Sequence, residues 1–177
     1  MHAVQTIRPQ DRLSLVTGAS IAALIHAVWP SAAQAKTPTL DETMNSWHAQ
    51  GSAHFVLVDD EVRAHTLLFR REIFTSRGPL LVGALAAVCV HPDYRGRGWG
   101  AAVVRAAFGF LPEMGVEVAL FQTGVPKFYE KLGSHMVNNR FFNGTDSGNP
   151  FWDSYVMIYP ASCHWPDGPI DLNGAGY

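Results

Sequence analysis

The spacing of apolar residues changes several times along the chain, and each change marks an element. Leu13, Val16, Ser20, Ala23 and Ala27 fall on one stripe, with Leu24 and Val28 beside it and Pro30 closing the run, which predicts an amphipathic helix. A short strand at Val4–Ile7 precedes it, and a polar loop leads on to a second helix opened by Asp41 and Glu42 and running through Trp47 and His48. After Gly51 the period drops to two. The stretch "AHFVLVDDEVRAHTLLFRREIF" reads as an antiparallel hairpin turning at Asp59 and Asp60. "GPLLVGALAAVCV", Gly78–Val90, is a long apolar strand in which Gly83 marks a bulge. A helix over Ala101–Leu111 closed by Pro112, a buried strand over Val116–Gln122, a short helix over Pro126–Leu132 capped by Gly133, and a strand over Ser154–Pro160 follow. Residues 161–177 are too rich in glycine and proline for regular structure and read as an irregular tail. The order predicts an α/β or α+β sheet protein, a single domain over 1–177 with a strand-loop-helix unit at its centre.

Composition narrows the function. The chain is 47% hydrophobic and 16% charged with a net charge of −2, a globular balance without the basic surface that nucleic-acid binders need. Its two cysteines, Cys89 and Cys163, are far apart and lack metal-site spacing, so no metal and no disulfide framework is expected, and a reducing, cytoplasmic setting fits. The stretch Arg12–Lys36, with Ala33-Gln34-Ala35 near its end, has the outline of a secretory signal. Asp11, His26, Trp29 and Pro30 interrupt that outline, and the helix is the preferred reading. No apolar run reaches the roughly 18 residues of a membrane span.

Chemistry concentrates in "VCVHPDYRGRGWGAAVV". Gly96, Gly98 and Gly100 let backbone approach a ligand closely, Arg95 and Arg97 supply charge-assisted donors, and the following helix adds its positive N-terminus. A phosphate or pyrophosphate is the expected ligand. The segment also fits the dinucleotide pattern G-x-G-x-x-A, but His91-Pro92-Asp93-Tyr94 separates it from its strand and the next strand ends without an acid. A nucleotide-triphosphate loop is excluded because no Gly-Lys-Ser/Thr follows.

The same segment resembles the coenzyme-binding stretch of the GNAT N-acetyltransferases, whose pattern R/Q-x-x-G-x-G/A is met by Arg95, Gly98 and Gly100. The resemblance implies a mixed, largely antiparallel twisted sheet flanked by helices, with a bulged central strand feeding the loop. It implies acetyl-CoA as donor, its pyrophosphate on the backbone from Arg95 through Trp99 to Ala101 and its pantetheine arm along Val88, Cys89 and Val90. A backbone N–H near Val88 or Cys89 would meet the oxyanion, and Tyr129 in "PKFYEKLG" would act as acid for the leaving thiolate. Cys89 itself reads as a small buried hydrophobe. A homodimer is a reasonable assembly, with neither nucleic acid nor membrane as partner.

Two narrower likenesses stand beside it. "EVRAHTLLFRREIF" and "PKFYEKLGS" are similar to the aminoglycoside 2′-N-acetyltransferases, while "LLVGALAAVCVHPDYRG" and the tail "WPDGPIDLNG" resemble the nodulation protein A acyltransferases. The aminoglycoside enzymes carry a glutamate where this chain has Ala86, which leaves the acceptor side without its base. His65 is one replacement, since imidazole titrates in the useful range. Asp153, Asp171 and the C-terminal carboxylate of Tyr177 are others, as is water. The expected activity is transfer of an acetyl group to a primary amine of a small molecule, an aminoglycoside or amino sugar among them. The alternatives are an acyltransferase with longer acyl donors and a non-catalytic coenzyme sensor.

Overall fold

The computed structural model describes residues 3–30, 38–144 and 155–174. Asp153, Tyr177 and the Ala33-Gln34-Ala35 step lie outside them. Two compact units divide the chain, one made of Met1–Phe69 with Ala86–Ala107 and the other of Arg70–Leu85 with Phe108–Tyr177.

In the first unit, β1 (Gln5–Ile7) pairs antiparallel with β2 (Ala53–Asp59), and β2 pairs antiparallel with β3 (Glu61–Thr75). Asp60 makes the β2–β3 turn at φ 61°, a left-handed conformation that Asp tolerates better than most residues. Between β1 and β2 lie α1 (Leu15–Val28) and α2 (Leu40–Ala49). Ser14 caps α1, its Oγ accepting from the Thr17 N–H at 3.1 Å. That start sets the helix phase and corrects the expected stripe. Gly18, Ile21 and Leu24 are the buried positions, whereas Val16 is 82% exposed. Gly18 lets Met44 of α2 pack close, since a Cβ there would come within 2.7 Å of Met44 Sδ and push that flexible side chain aside. Ile21 and Leu24 join Val56, Val62 and Cys89 in one apolar cluster, with Trp47 against it.

α2 carries a complete capping box. The Glu42 N–H donates to Thr39 Oγ1 at 3.2 Å, and the Thr39 N–H donates to Glu42 Oε2 at 2.7 Å. Thr39→Ala is expected to cost about 1 kcal/mol, read as a lower urea midpoint at unchanged slope.

β3 and β4 (Gly78–Val90), hydrogen-bonded neighbours joined by a tight turn at Ser76 and Arg77, each contribute residues to both units. The irregularity expected at Gly83 in β4 is not there. Gly83 pairs regularly with Ala119, while the positive φ inside β4, beyond its first residue Gly78, belongs to Ala87, at 51°. A glycine tolerates irregular backbone but does not create it, and the Ala87 carbonyl is held by a side chain of β3.

The second unit contains β5 (Ala119–Thr123), α4 (Pro126–Glu130), β6 (His135–Met136), β7 (Phe141–Phe142), β8 (Tyr155–Tyr159) and β9 (Ile170–Asp171). β4 pairs parallel with β5, and β8 lies antiparallel between β5 and β6. β9 pairs with β3 and β7, so the stretch expected to be irregular contributes a strand. Its Ile170 and Leu172 are fully buried with Ile73, Val82, Val118, Leu120 and Ile158. The sheet is mixed and mostly antiparallel, and the fold is mixed α/β. α3 (Trp99–Gly109) starts earlier than expected and ends at Gly109, Pro112 instead opening a 3-10 turn over Leu111–Met114.

Candidate functional site

β4 delivers the chain to the glycine-arginine loop. Ala86, Ala87 and Val88 are half-buried between the buried run Val82–Leu85 and buried Cys89. His91–Arg95 then form a tight turn, a 3-10 element over Pro92–Tyr94 with the Tyr94 N–H donating to the His91 carbonyl at 2.9 Å. Gly96 and Gly98 follow at φ 76° and 79°, and the Gly98 carbonyl accepts the Ala102 N–H at 3.0 Å, opening α3. Nothing lies within 4 Å of a Cβ built on either glycine, so conformation rather than crowding demands them. The first N–H groups of a helix have no intrahelical acceptor, which suits this end of α3 to an anion.

The two loop arginines differ. The Arg97 guanidinium sits 4.7 Å from the Tyr94 ring centroid and donates to the Asp93 carbonyl at 3.4 Å. Arg63 approaches the same ring at 5.1 Å, and Trp99 packs beside it at 5.1 Å. Arg97 thus braces the loop. Arg95 is exposed and has no side-chain partner among the described residues, which leaves its five donors for a ligand.

His65 is fully buried. Its Nδ1 lies 3.2 Å from the Ala87 carbonyl oxygen, and its Nε2 lies 3.1 Å from Nδ1 of His54 on β2. The His65 ring has no exposed surface at which a substrate could meet it. Burial pulls its pKa down to about 3, with the neighbouring His54 charge adding to the effect, and burial pulls His54 to about 4. Trp47 of α2 packs on both rings, at 5.0 Å from His54 and 6.3 Å from His65. His54 is a residue that sequence reasoning misses. Its signal lies in the hairpin register, which pairs Val56 with His65 and His54 with Leu67, placing both histidines on one sheet face as diagonal neighbours.

These depressed values set a pH dependence. Below about 6.5, the ordinary histidine value, unfolded chains bind protons that the folded protein refuses, so stability falls as pH drops from 6.5 through 4 toward 3. Melting temperature is expected to decline from pH 7 to pH 4.5, with a shallower slope in His54→Leu.

Cys89 is buried and its thiol is pushed up to about 12 by that burial, so it packs as an apolar group and supplies no thiolate. The Ala86 carbonyl accepts from Thr66 Oγ1 at 2.9 Å, and no carboxylate occupies that position. In the second unit, Tyr129 is 5% exposed on α4, its ring 4.6 Å from Phe121 and 4.8 Å from Phe128. Asp171 is committed to structure. Its Oδ1 accepts the Gly144 N–H at 2.7 Å and the Asn173 N–H at 2.9 Å. Among the described residues no cluster of histidine, cysteine and acidic side chains can hold a metal. No described helix is long and apolar enough to cross a membrane.

Residues 21–134 match the family model for the acetyltransferase (GNAT) family. The chain belongs to the GNAT acetyltransferase family. Solved structures share the fold at low identity. A GNAT acetyltransferase from Brucella melitensis in complex with acetyl-CoA is 14% identical with a TM-score of 0.64, covering 98% of each chain. A GNAT N-acetyltransferase from Escherichia coli in complex with CoA gives the same identity and TM-score over 98% of this chain and 91% of that one. A GCN5-related N-acetyltransferase from Kribbella flavida, 18% identical with a TM-score of 0.61, matches 76% of this chain, which spans only 33% of that longer protein. No curated protein sequence matches the chain. The matched stretch takes in the second half of α1, all of α2, β4 and the loop that follows it, and the likenesses to aminoglycoside and nodulation enzymes are narrower than these matches reach.

Proposed function

We propose that this GNAT protein is an acetyl-CoA-dependent N-acetyltransferase that acts on a primary amine of a small molecule. The observation that carries the reading is the loop from Arg95 to Gly100. Two glycines hold it in left-handed backbone, one arginine braces it and another is left to the ligand at the start of a helix. A pyrophosphate suits these groups in charge and shape, and the coenzyme in the E. coli and Brucella structures supports the assignment.

Acetyl-CoA, when bound, supplies an activated thioester. The chain's own work is then to hold the pyrophosphate on the backbone of Arg95–Ala101 with Arg95, and to line the pantetheine arm with Val88, Cys89 and Val90. It also presents an N–H of Val88 or Cys89 to the carbonyl oxygen as charge develops there. Tyr129 is assigned the return of a proton to the thiolate, a role that a phenol of pKa about 10 can fill. With Ala86 in the family glutamate position, the ammonium proton goes to water. The acceptor is a small amine, and aminoglycosides and amino sugars head the panel.

Thiol release from acetyl-CoA is to be measured against aminoglycosides, amino sugars, polyamines and amino acids, alongside thermal shifts with CoA. Arg95→Ala is expected to weaken CoA binding about tenfold, the worth of one charge-assisted contact. Absence of any CoA-dependent thermal shift in the wild type overturns the reading. Turnover that survives unchanged in Tyr129→Phe removes Tyr129 from it.

A further inference from the structure

Two neighbouring side chains of β3 hold consecutive carbonyls of β4. In a regular strand successive carbonyls point to opposite edges, yet the Ala86 and Ala87 carbonyls both accept from β3 side chains, Thr66 Oγ1 at 2.9 Å and His65 Nδ1 at 3.2 Å. The left-handed φ of 51° at Ala87 is what turns the second carbonyl to the same side as the first. For a residue with a Cβ this conformation costs about 1–2 kcal/mol, and it persists where the surroundings enforce it.

The hydrogen positions follow from the partners. A carbonyl only accepts, so His65 Nδ1 carries a hydrogen. A neutral His65 then has a bare Nε2, and that atom accepts the hydrogen on His54 Nδ1 3.1 Å away. Both rings are therefore in the Nδ1–H form, and the chain runs in one direction: His54 to His65 to the Ala87 carbonyl. Burial, which keeps both rings neutral, makes that order stable at neutral pH. A peptide plane fixed at its oxygen is fixed at its nitrogen as well. With the Ala87 carbonyl held toward His65, the Val88 N–H points away from it, because a trans peptide sets the two bonds antiparallel.

We propose that His65, held in place by His54, is a positioning residue of this enzyme that orients the Val88 N–H toward the carbonyl oxygen of the acyl donor. The proposal rests on the acetyl-CoA reading above. It gives the buried pair a task other than taking the substrate's proton. On the side of His54, Asp11 and Arg12 before α1, Trp47 and His48 on α2, and Ser52 before β2 line with it a cavity of about 170 Å³.

The first test reads the hydrogens directly. Long-range proton–nitrogen NMR correlation on full-length protein labelled at histidine is expected to show Nδ1–H for both His65 and His54. An Nε2–H form of His65 overturns the proposal, whatever the catalytic results.

The second test follows the Val88 amide resonance as acetyl-CoA is added without an acceptor. In wild type and in His65→Asn, whose amide keeps a donor near the Nδ1 position, the resonance is expected to shift. His65→Leu is expected to lose most of that shift while CoA affinity stays within about threefold, since the loop is untouched. On an acceptor that turns over, His65→Leu is expected to lower kcat about 10- to 100-fold at little change in KM for acetyl-CoA, with His65→Asn recovering most of it. An undiminished Val88 shift in His65→Leu overturns the proposal. So does a loss of stability alone, with kcat of the folded protein unaltered. Should His65→Leu fail to fold, His54→Leu takes its place, and an unchanged Val88 shift and kcat in that variant overturn the proposal equally. Wild-type protein that binds no acetyl-CoA overturns the donor reading itself, a result distinct from coenzyme binding with the wrong tautomer.

Discussion

Gly98→Val is expected to raise the dissociation constant for CoA at least about 100-fold, equivalent to about 2.7 kcal/mol, while the protein still folds. Gly98 sits at φ 79°, and a Cβ built on it meets open space. The penalty is therefore conformational, about 1–2 kcal/mol for an ordinary L-residue and more for a β-branched one. A loop whose side is open relieves that strain by leaving the left-handed region. Such a shift rotates the Gly98 carbonyl, which accepts the first helical N–H of α3 from Ala102, and with it the N–H groups that open the helix. Affinity for pyrophosphate depends on the convergence of those donors, so binding is expected to fall much further than stability. Calorimetric titration with CoA and a melting curve separate the two quantities. Gly109→Ala is the internal comparison. Gly109 closes α3 without a left-handed φ and with open space about it, so alanine there is expected to be neutral or stabilising and to leave CoA affinity alone. Tight CoA binding by Gly98→Val would place the pyrophosphate somewhere other than this loop.

The contrast between Gly98 and Ala87 shows what the sequence can and cannot express. At Gly98 the demand for positive φ is local, and it is written in the residue itself. At Ala87 the same backbone region goes with contacts from β3, His65 on its own carbonyl and Thr66 on the preceding one, so no residue in β4 announces it. Expecting the irregularity at Gly83 follows the usual preference of glycine and misses a tertiary cause. The hairpin is legible because alternation and the Asp59-Asp60 turn are both short-range. Its register, which brings His54 beside His65, is implied by the same features and needs only to be followed across the two strands. The phase of α1 is harder. It depends on Ser14 as cap and on Met44 from α2 filling the space above Gly18, and the second of these is a contact between segments. As for the acceptor side, Asp171 reads as an available carboxylate, but its Oδ1 is occupied by two backbone N–H groups.

Ile170→Asp is expected to unfold the protein. Residues 161–174 look unstructured in sequence because Pro166, Gly168 and Pro169 break every period, yet Ile170 is fully buried. Its N–H donates to the Arg140 carbonyl at 2.9 Å and that of Leu172 to the Phe142 carbonyl at 2.8 Å, while Phe74 pairs with Asp171 from β3. β9 thus closes an apolar cluster that includes Ile73, Val82, Leu120 and Ile158. Truncating such a side chain to alanine costs about 2–5 kcal/mol, already a large part of the about 5–15 kcal/mol that holds a domain together. Aspartate adds the cost of taking a carboxylate out of water into a cluster of apolar side chains, or of protonating it at neutral pH. Circular dichroism in urea is expected to show no folding transition for Ile170→Asp at pH 7 and a lowered midpoint for Ile170→Ala. Lowering the pH toward 5 is expected to restore part of the structure in the aspartate variant, because the neutral acid is far cheaper to bury. Midpoints equal to wild type in both variants would mean that β9 leaves the cluster freely and that the tail is not part of the core.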